Sequence, residues 1–186
     1  MDEGIKPNSV KIGCVHGRYQ PFHTGHLEHV LKAHELSSLL YVGLANSDPS
    51  HINADGASPH RHLDDANPFP YFARMEMVLG SLKEAGATLE RIRIVPFPIN
   101  RPELLRYYVP GCATHLITVF DEWGEKKVRT LREHGLDVKV LQMRKVTTGT
   151  EVRRLVSAGE SVSHLVPPFV NTFLNGDRRT YLSQKT

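Results

Sequence analysis

The chain has 186 residues, 40% hydrophobic and 23% charged, with a formal net charge of +3. That length suits one α/β domain with a sizeable core, and the mild charge is too weak to argue for a nucleic-acid partner. No signal peptide, basic leader or apolar run of membrane length is visible, and Cys14 and Cys112 have neither metal nor disulfide spacing, so a reduced cytoplasmic setting without membrane attachment is expected.

Residues 1–9 read as a disordered lead-in. Val10-Lys11-Ile12-Gly13-Cys14-Val15-His16 is a β-branched run of the kind that forms a buried parallel strand. Gly17-Arg18-Tyr19-Gln20-Pro21-Phe22-His23-Thr24-Gly25-His26 follows, and Leu27, Val30, Leu31 and His34 then recur at helical spacing. A helix from Thr24 to Glu35 is predicted, with Thr24 near its N-cap. A strand, a glycine turn and a helix start make an anion site, because the first turn offers unpaired N–H groups and a partial positive charge. His23 and His26 flank Gly25 there, as neutral or cationic donors suited to a polyphosphate. One capping histidine and one surface histidine would be the plainer account, but the Gly-Arg before them favours function. Neither a P-loop nor a dinucleotide fingerprint is present.

Leu39–Ala45 is a second buried strand, completing a right-handed βαβ unit. A long loop from Asn46 to about Tyr71 carries His51, His60, Arg61, His62, Asp64 and Asp65. Their spacing matches no helical or hairpin ligand pair, so no metal site is assigned, and the loop reads as a lid that brings Arg61 or a histidine onto phosphate. Phe72–Ala85 is an amphipathic helix with Met75, Val78, Leu79 and Leu82 on one face, closed by Gly86. Further strands are expected at Arg91–Val95, Leu116–Phe120 and Val138–Leu141, with a short connecting helix within Ile99–Val109 and a charged helix over Glu122–Glu133. The alternation predicts a Rossmann-like, doubly wound parallel sheet of five strands over 10–145, with helices in 146–186 completing the site. Ligands belong at the carboxyl ends of the strands.

Thr147-Thr148-Gly149-Thr150-Glu151-Val152-Arg153-Arg154 opens the next helix with capping chemistry. Arginines in a first turn oppose the helix dipole, so their presence there calls for a nearby anion.

Together these stretches resemble the nucleotidylyltransferase superfamily. Gly17 to His26 carries its His-x-Gly-His signature in the longer form most similar to archaeal-type nicotinamide mononucleotide adenylyltransferases. Gly149-Thr150-Glu151-Val152-Arg153-Arg154 matches the second signature, and Arg74-Met75-Glu76-Met77 and Leu165-Val166-Pro167-Pro168 also agree. The resemblance, over residues 10–176, implies in-line attack on the α-phosphorus of a nucleoside triphosphate with release of pyrophosphate, assisted by Mg²⁺ held by phosphate oxygens and water. His23, His26 and Arg153 would be catalytic. Gly17, Arg18, Tyr19, Gln20, Phe22, Gly25, Thr147, Thr148, Gly149 and Thr150 would hold the triphosphate.

Two departures bear on the substrates. The family's tryptophan after the third strand is missing from Ile99–Tyr108, where Asn100, Arg101, Arg106 and Tyr107 could serve a small anionic acceptor beside Arg61. The family's Ser/Thr-Gly-Asn beside the base is replaced by Phe120-Asp121-Glu122-Trp123-Gly124, which leaves ATP and CTP open. This profile is similar to that of the cytidylyltransferases of phosphonate antibiotic pathways, which act on acids such as phosphonoformate. Nicotinamide mononucleotide adenylyltransferase is the runner-up, and a catalytically silent nucleotide-binding regulator is a third reading that intact signatures disfavour. A homo-oligomer is compatible with the sequence but not argued by it.

Overall fold

The computed structural model describes residues 9–48 and 66–176. In chain order they form β1 (Val10–Gly17), α1 (Thr24–Leu36), β2 (Ser37–Ala45), α2 (Tyr71–Glu84), β3 (Ile92–Phe97), β4 (Thr114–Ile117), α3 (Glu122–Glu133), β5 (Asp137–Val140), α4 (Gly149–Ser157) and α5 (Pro168–Asn175). Short 3-10 turns occupy Leu89–Arg91 and Pro102–Tyr107. Residues 1–8, Arg61 and the histidines and aspartates of the loop between β2 and α2 lie outside the described residues.

All strand pairs are parallel, in the order β3-β2-β1-β4-β5. The chain starts at the centre, winds outward through β2 and β3, then returns to β1's other side for β4 and β5. The strand order therefore reverses between β1 and β4, where the loops leaving their carboxyl ends diverge and open a crevice.

Strand alternation divides the core. Val15, Leu40, Val42 and Leu44 pack with Val30, Met77 and Val78 of α1 and α2 on one face, whereas Cys14, Phe97 and Ile117 pack with Leu105, Val128 and Leu131 on the other. Val152 and Leu155 of α4 and Val170 and Leu174 of α5 join the first face, so the C-terminal helices share the main core. Each such buried side chain contributes roughly 1.5–3 kcal/mol of transfer free energy, which anchors α4 at the crevice.

Two local expectations are corrected. Strand β2 begins at Ser37, directly after α1, and its hydrogen bonding to β1 starts at Val10↔Ser37. Strand β4 stops at Ile117, because its last partner, Val140, ends β5; Thr118–Phe120 continue as loop at the crevice. The N-cap of α1 is His23, directly before Thr24. Thr24 ties the helix to the C-terminal segment, donating from N and Oγ1 to the Leu165 carbonyl at 2.9 and 3.0 Å. Gly86 closes α2 in the left-handed region at φ 73°. Among the described residues no helix is long and apolar enough to cross a membrane.

Candidate active site

A cleft of about 440 Å³ lies over the carboxyl ends of β1 and β4, bordered by the starts of α1, α3 and α4. Its rim turns on two non-glycine residues in the left-handed region, Tyr19 and Asn46, both at φ 52°. Such conformations cost of order 1–3 kcal/mol each unless the surroundings impose them. Arg74 of α2 imposes them. It is 1% exposed, and its guanidinium donates to the carbonyls of Arg18 (2.8 Å), Ala45 (2.7 Å) and Asn46 (2.7 Å). One buried cation thus ties the ends of β1 and β2 together, although burial lowers its pKa to about 10.

The next turn fixes two imidazoles. His23 Nδ1 accepts from the His26 backbone N–H and His26 Nδ1 accepts from the His23 backbone N–H, both at 3.3 Å. This reciprocal capping box stacks the rings 3.5 Å apart at 18°. Since both Nδ1 atoms accept, both neutral rings carry their proton on Nε2 and present it as a donor. Tyr19 packs edge-on against His26 at 4.9 Å, fixing its tilt. Burial brings the pKa of His23 down to about 4 and holds that of His26 well below the ordinary value, with His23, His29, Lys127 and Arg18 adding electrostatic pressure on His26. Of the two protonation states the sequence left open, the fold selects the neutral one.

Helix α4 meets this turn almost without clearance. Arg153 donates from Nη1 to the Gln20 carbonyl at 2.6 Å and from Nη2 to Thr150 Oγ1 at 3.2 Å. A Cβ on Gly149 would stand 2.8 Å from the Gln20 carbonyl oxygen, so only glycine permits the approach. Thr148 caps α4 by accepting from the Glu151 N–H at 3.1 Å, and Thr147 donates to Glu151 Oε2 at 2.8 Å. These bonds set the direction of both hydroxyl groups at the cleft wall.

The lining carries cations from four places: Arg18 after β1, Lys127 on α3, Arg144 and Lys145 after β5, and Arg153 on α4. Among the described lining residues, one carboxylate faces them, Asp121, and it is committed to capping α3 by accepting from the Gly124 N–H at 2.9 Å. The imbalance suits an anionic ligand. Phe120, 44% exposed, and Trp123 follow β4 in the lining, which also carries Asn46 after β2 and Ile99 and Asn100 after β3.

Several sequence-derived assignments land here: Gly17, Arg18, Tyr19, Gln20, His23, Gly25, His26, Asn100, Phe120, Asp121, Thr147, Thr148, Gly149, Thr150 and Arg153 line the cleft. Corrections concern Phe22, the side chains of Tyr19 and Gln20, and Arg101, Arg106 and Tyr107. Phe22 is fully buried in the core, and the Tyr19 ring turns inward beneath His26. The Gln20 side chain grips the backbone of Phe69, donating to its carbonyl and accepting from its N–H at 2.9 Å each, so it positions a loop. Arg101, Arg106 and Tyr107 are not among the lining residues. The connection from β3 to β4 must descend from the carboxyl to the amino ends of the strands, which carries Arg106 to the foot of α3, where it donates to the His134 carbonyl at 3.2 Å. Arg101 pairs with Glu103 at 2.9 Å, and Tyr107 is 83% exposed.

Sequence reasoning missed the roles of Arg74, His16, His29, Lys127, Arg144 and Lys145. Arg74 lies on the face of a helix whose neighbours read as core, and only its three carbonyl partners give it away. His29 follows His26 by three residues, a spacing that puts both on one helix face, and its Nε2 bonds the Leu116 carbonyl at 3.0 Å.

The family model described as cytidylyltransferase-like matches residues 14–175. The chain is 42% identical over 160 residues to the phosphonoformate cytidylyltransferase of Streptomyces viridochromogenes, covering 85% of this chain and 87% of that one. It is 31% identical over 169 residues to the nicotinamide-nucleotide adenylyltransferase of Thermococcus kodakarensis, covering 89% and 82%. A bifunctional NMN adenylyltransferase/ADP ribose pyrophosphatase from Francisella tularensis superposes with a TM-score of 0.71 at 19% identity, over 94% of this chain and 52% of that one, a likeness of fold alone.

Proposed function

The chain belongs to the cytidylyltransferase-like family and is a nucleotidyltransferase; from that premise we propose that it transfers the CMP group of CTP to a phosphonate oxygen of a small acid such as phosphonoformate, releasing pyrophosphate. One observation carries the chemical half of this reading. The paired Nε2–H donors of His23 and His26 and the Arg153 guanidinium converge on one cationic wall that offers no uncommitted carboxylate among its described residues. The 42% identity to the Streptomyces enzyme supports the choice of nucleotide and acceptor.

The acceptor oxygen forms a bond to the α-phosphorus while the bond from that phosphorus to the bridging oxygen breaks, and pyrophosphate leaves with the electron pair. A phosphonate oxygen is already anionic, so no general base is required. This agrees with a cleft whose lining carboxylate is spent on a helix cap. The protein then contributes positioning and charge stabilisation. Neutral imidazoles donate to phosphate oxygens without prior protonation, and negative charge growing on the leaving group favours the protonated form. Arg153, held by the Gln20 carbonyl, keeps the two signatures in register. Phe120 and Trp123 offer the base a stacking edge.

Nucleotidyltransferases of this family commonly use a divalent metal. Among the described residues no group of three His, Cys, Asp or Glu side chains could cage an ion. Mg²⁺ accordingly enters this scheme as part of the substrate, held by triphosphate oxygens and water.

Pyrophosphate release, with Mg²⁺, across ATP, CTP, GTP and UTP against phosphonoformate and nicotinamide mononucleotide tests the proposal. Release with CTP and phosphonoformate is the expected result. Release with ATP and the mononucleotide alone would transfer the assignment to the second reading, which the 31% identity to the archaeal enzyme favours.

A further inference from the structure

His16 is a buried imidazole that the reaction as derived leaves unused. It stands next to last in β1, on the face opposite α1, in register with Gly43 of β2. Its ring stacks on Phe97 at 4.3 Å and 9°, and the residue is 8% exposed. Gly43 makes the stack possible, because a Cβ there would come within 2.5 Å of the Phe97 ring. His16 nevertheless lines the cleft, together with Asn46, Ile99 and Asn100. Among the described residues, neither its Nδ1 nor its Nε2 has a hydrogen-bond partner.

That arrangement disfavours the protein on its own. A neutral imidazole carries one donor and one acceptor, and a buried polar atom left unpaired is destabilising, whereas an apolar ring stacked on Phe97 would not be. The cleft lies beside the buried ring. The flat stack also holds the imidazole in a fixed plane, so little side-chain freedom remains to be lost when a ligand arrives.

We propose that His16 is a specificity-determining residue of the acceptor site, whose imidazole hydrogen-bonds an anionic oxygen of the acceptor. This rests on the reading of the cleft as a nucleoside triphosphate and acceptor site, and it adds a recognition residue that neither signature motif contains. The groups that face the ring electrostatically are Lys127 from α3, His115 from β4 and His29 from α1. With burial as the main cause, they hold its pKa well below the ordinary value, so the ring meets the acceptor neutral. The neutral ring has one N–H to donate, and an anionic acceptor oxygen beside it fixes which ring nitrogen carries that proton.

The test uses H16F, which keeps a ring on Phe97 and removes both nitrogens, and H16Q, which restores a donor. With CTP and phosphonoformate, H16F is expected to raise the acceptor KM by about 10–100-fold, the range of a lost hydrogen bond to a charged partner. Its CTP KM and kcat should stay within about twofold, H16Q should recover part of the acceptor KM, and H16F should melt no lower than wild type. An unchanged acceptor KM, or equal rises in both KM values, overturns the assignment. Titration of protein labelled with ¹⁵N in its histidine rings gives a readout independent of turnover. Phosphonoformate, or the mononucleotide if the panel selects that acceptor, should shift the His16 ring-nitrogen resonances as one N–H becomes a hydrogen-bond donor, and unmoved resonances at saturation overturn the inference. If wild type fails to turn over CTP with phosphonoformate while the His16 resonances move, the proposed reaction fails and the recognition residue stands.

Discussion

Gly149→Ala is the sharpest single perturbation of this site, because the added methyl points at backbone. Its carbon would lie 2.8 Å from the Gln20 carbonyl oxygen and 3.2 Å from Arg153 Nη1. Carbon and oxygen ordinarily approach no closer than about 3.3 Å, so the start of α4 must withdraw from the β1–α1 turn by roughly 0.5 Å. Overpacking of this kind costs about 1–3 kcal/mol, partly offset by the roughly 0.5–1 kcal/mol that alanine gains over glycine in a helix. Net destabilisation should therefore be on the order of 1 kcal/mol, a small shift in the thermal melt. Catalysis should suffer more. A misplacement of about 1 Å costs on the order of 100-fold, so half of that predicts a loss of about 10-fold in kcat, since Arg153 moves with the helix. Steady-state pyrophosphate release beside a thermal melt reads both quantities. Wild-type kcat in G149A would refute the idea that the close approach of the two signatures organises the site.

Three further outcomes are expected. Arg74→Met leaves the Arg18, Ala45 and Asn46 carbonyls without their buried partner, and should cost about 3–5 kcal/mol by denaturant unfolding; a loss under about 1 kcal/mol would show that water replaces the guanidinium. Burial lowers the pKa of His23, His29 and His115 to about 4 each. The unfolded chain then binds more protons than the folded one between their ordinary value near 6.5 and about 4, so stability should fall as pH drops through that window, by up to roughly 1.4 kcal/mol per pH unit for each histidine. A melting temperature flat from pH 6.5 to 4 would contradict the buried, neutral state of these rings. Arg106→Ala should leave both substrate KM values within about twofold, since Arg106 bonds the His134 carbonyl at the foot of α3; a tenfold rise in acceptor KM would return it to the acceptor site.

The histidines show how the fold assigns roles to identical side chains. His23 and His26 lock each other through backbone and present Nε2–H to the cleft. His29, one turn on, spends its Nε2 on the Leu116 carbonyl and joins α1 to β4. His16 is clamped flat on Phe97 with its nitrogens unpaired. Burial makes all four neutral at rest, so the cleft's standing positive charge comes from Arg18, Lys127, Arg144, Lys145 and Arg153 instead.

What the sequence determined by itself was local and periodic. Apolar runs and helical spacing were enough to place the strands and helices in order, and the run Gly17 to His26 and the Thr-Thr-Gly-Thr start of α4 were legible because chain neighbours create a helix N-terminus and its donors. Helix α3 was read at its observed limits, Glu122–Glu133, because its charged residues follow one another in the chain. What only the tertiary structure decided depends on distance across the fold. The end of β4 is set by where β5 stops offering partners. Arg106 sits at the foot of α3 and not in the cleft lining because a crossover must travel the length of the sheet before the next parallel strand begins. Arg74 and His16 hide in apolar surroundings, where composition marks a core face, and their significance lies in carbonyls from two distant turns and in a ring contributed by β3. Sequence pattern reports which groups a short stretch can present; which of those groups meet, and which are left without a partner, follows from packing between elements that the chain separates by dozens of residues.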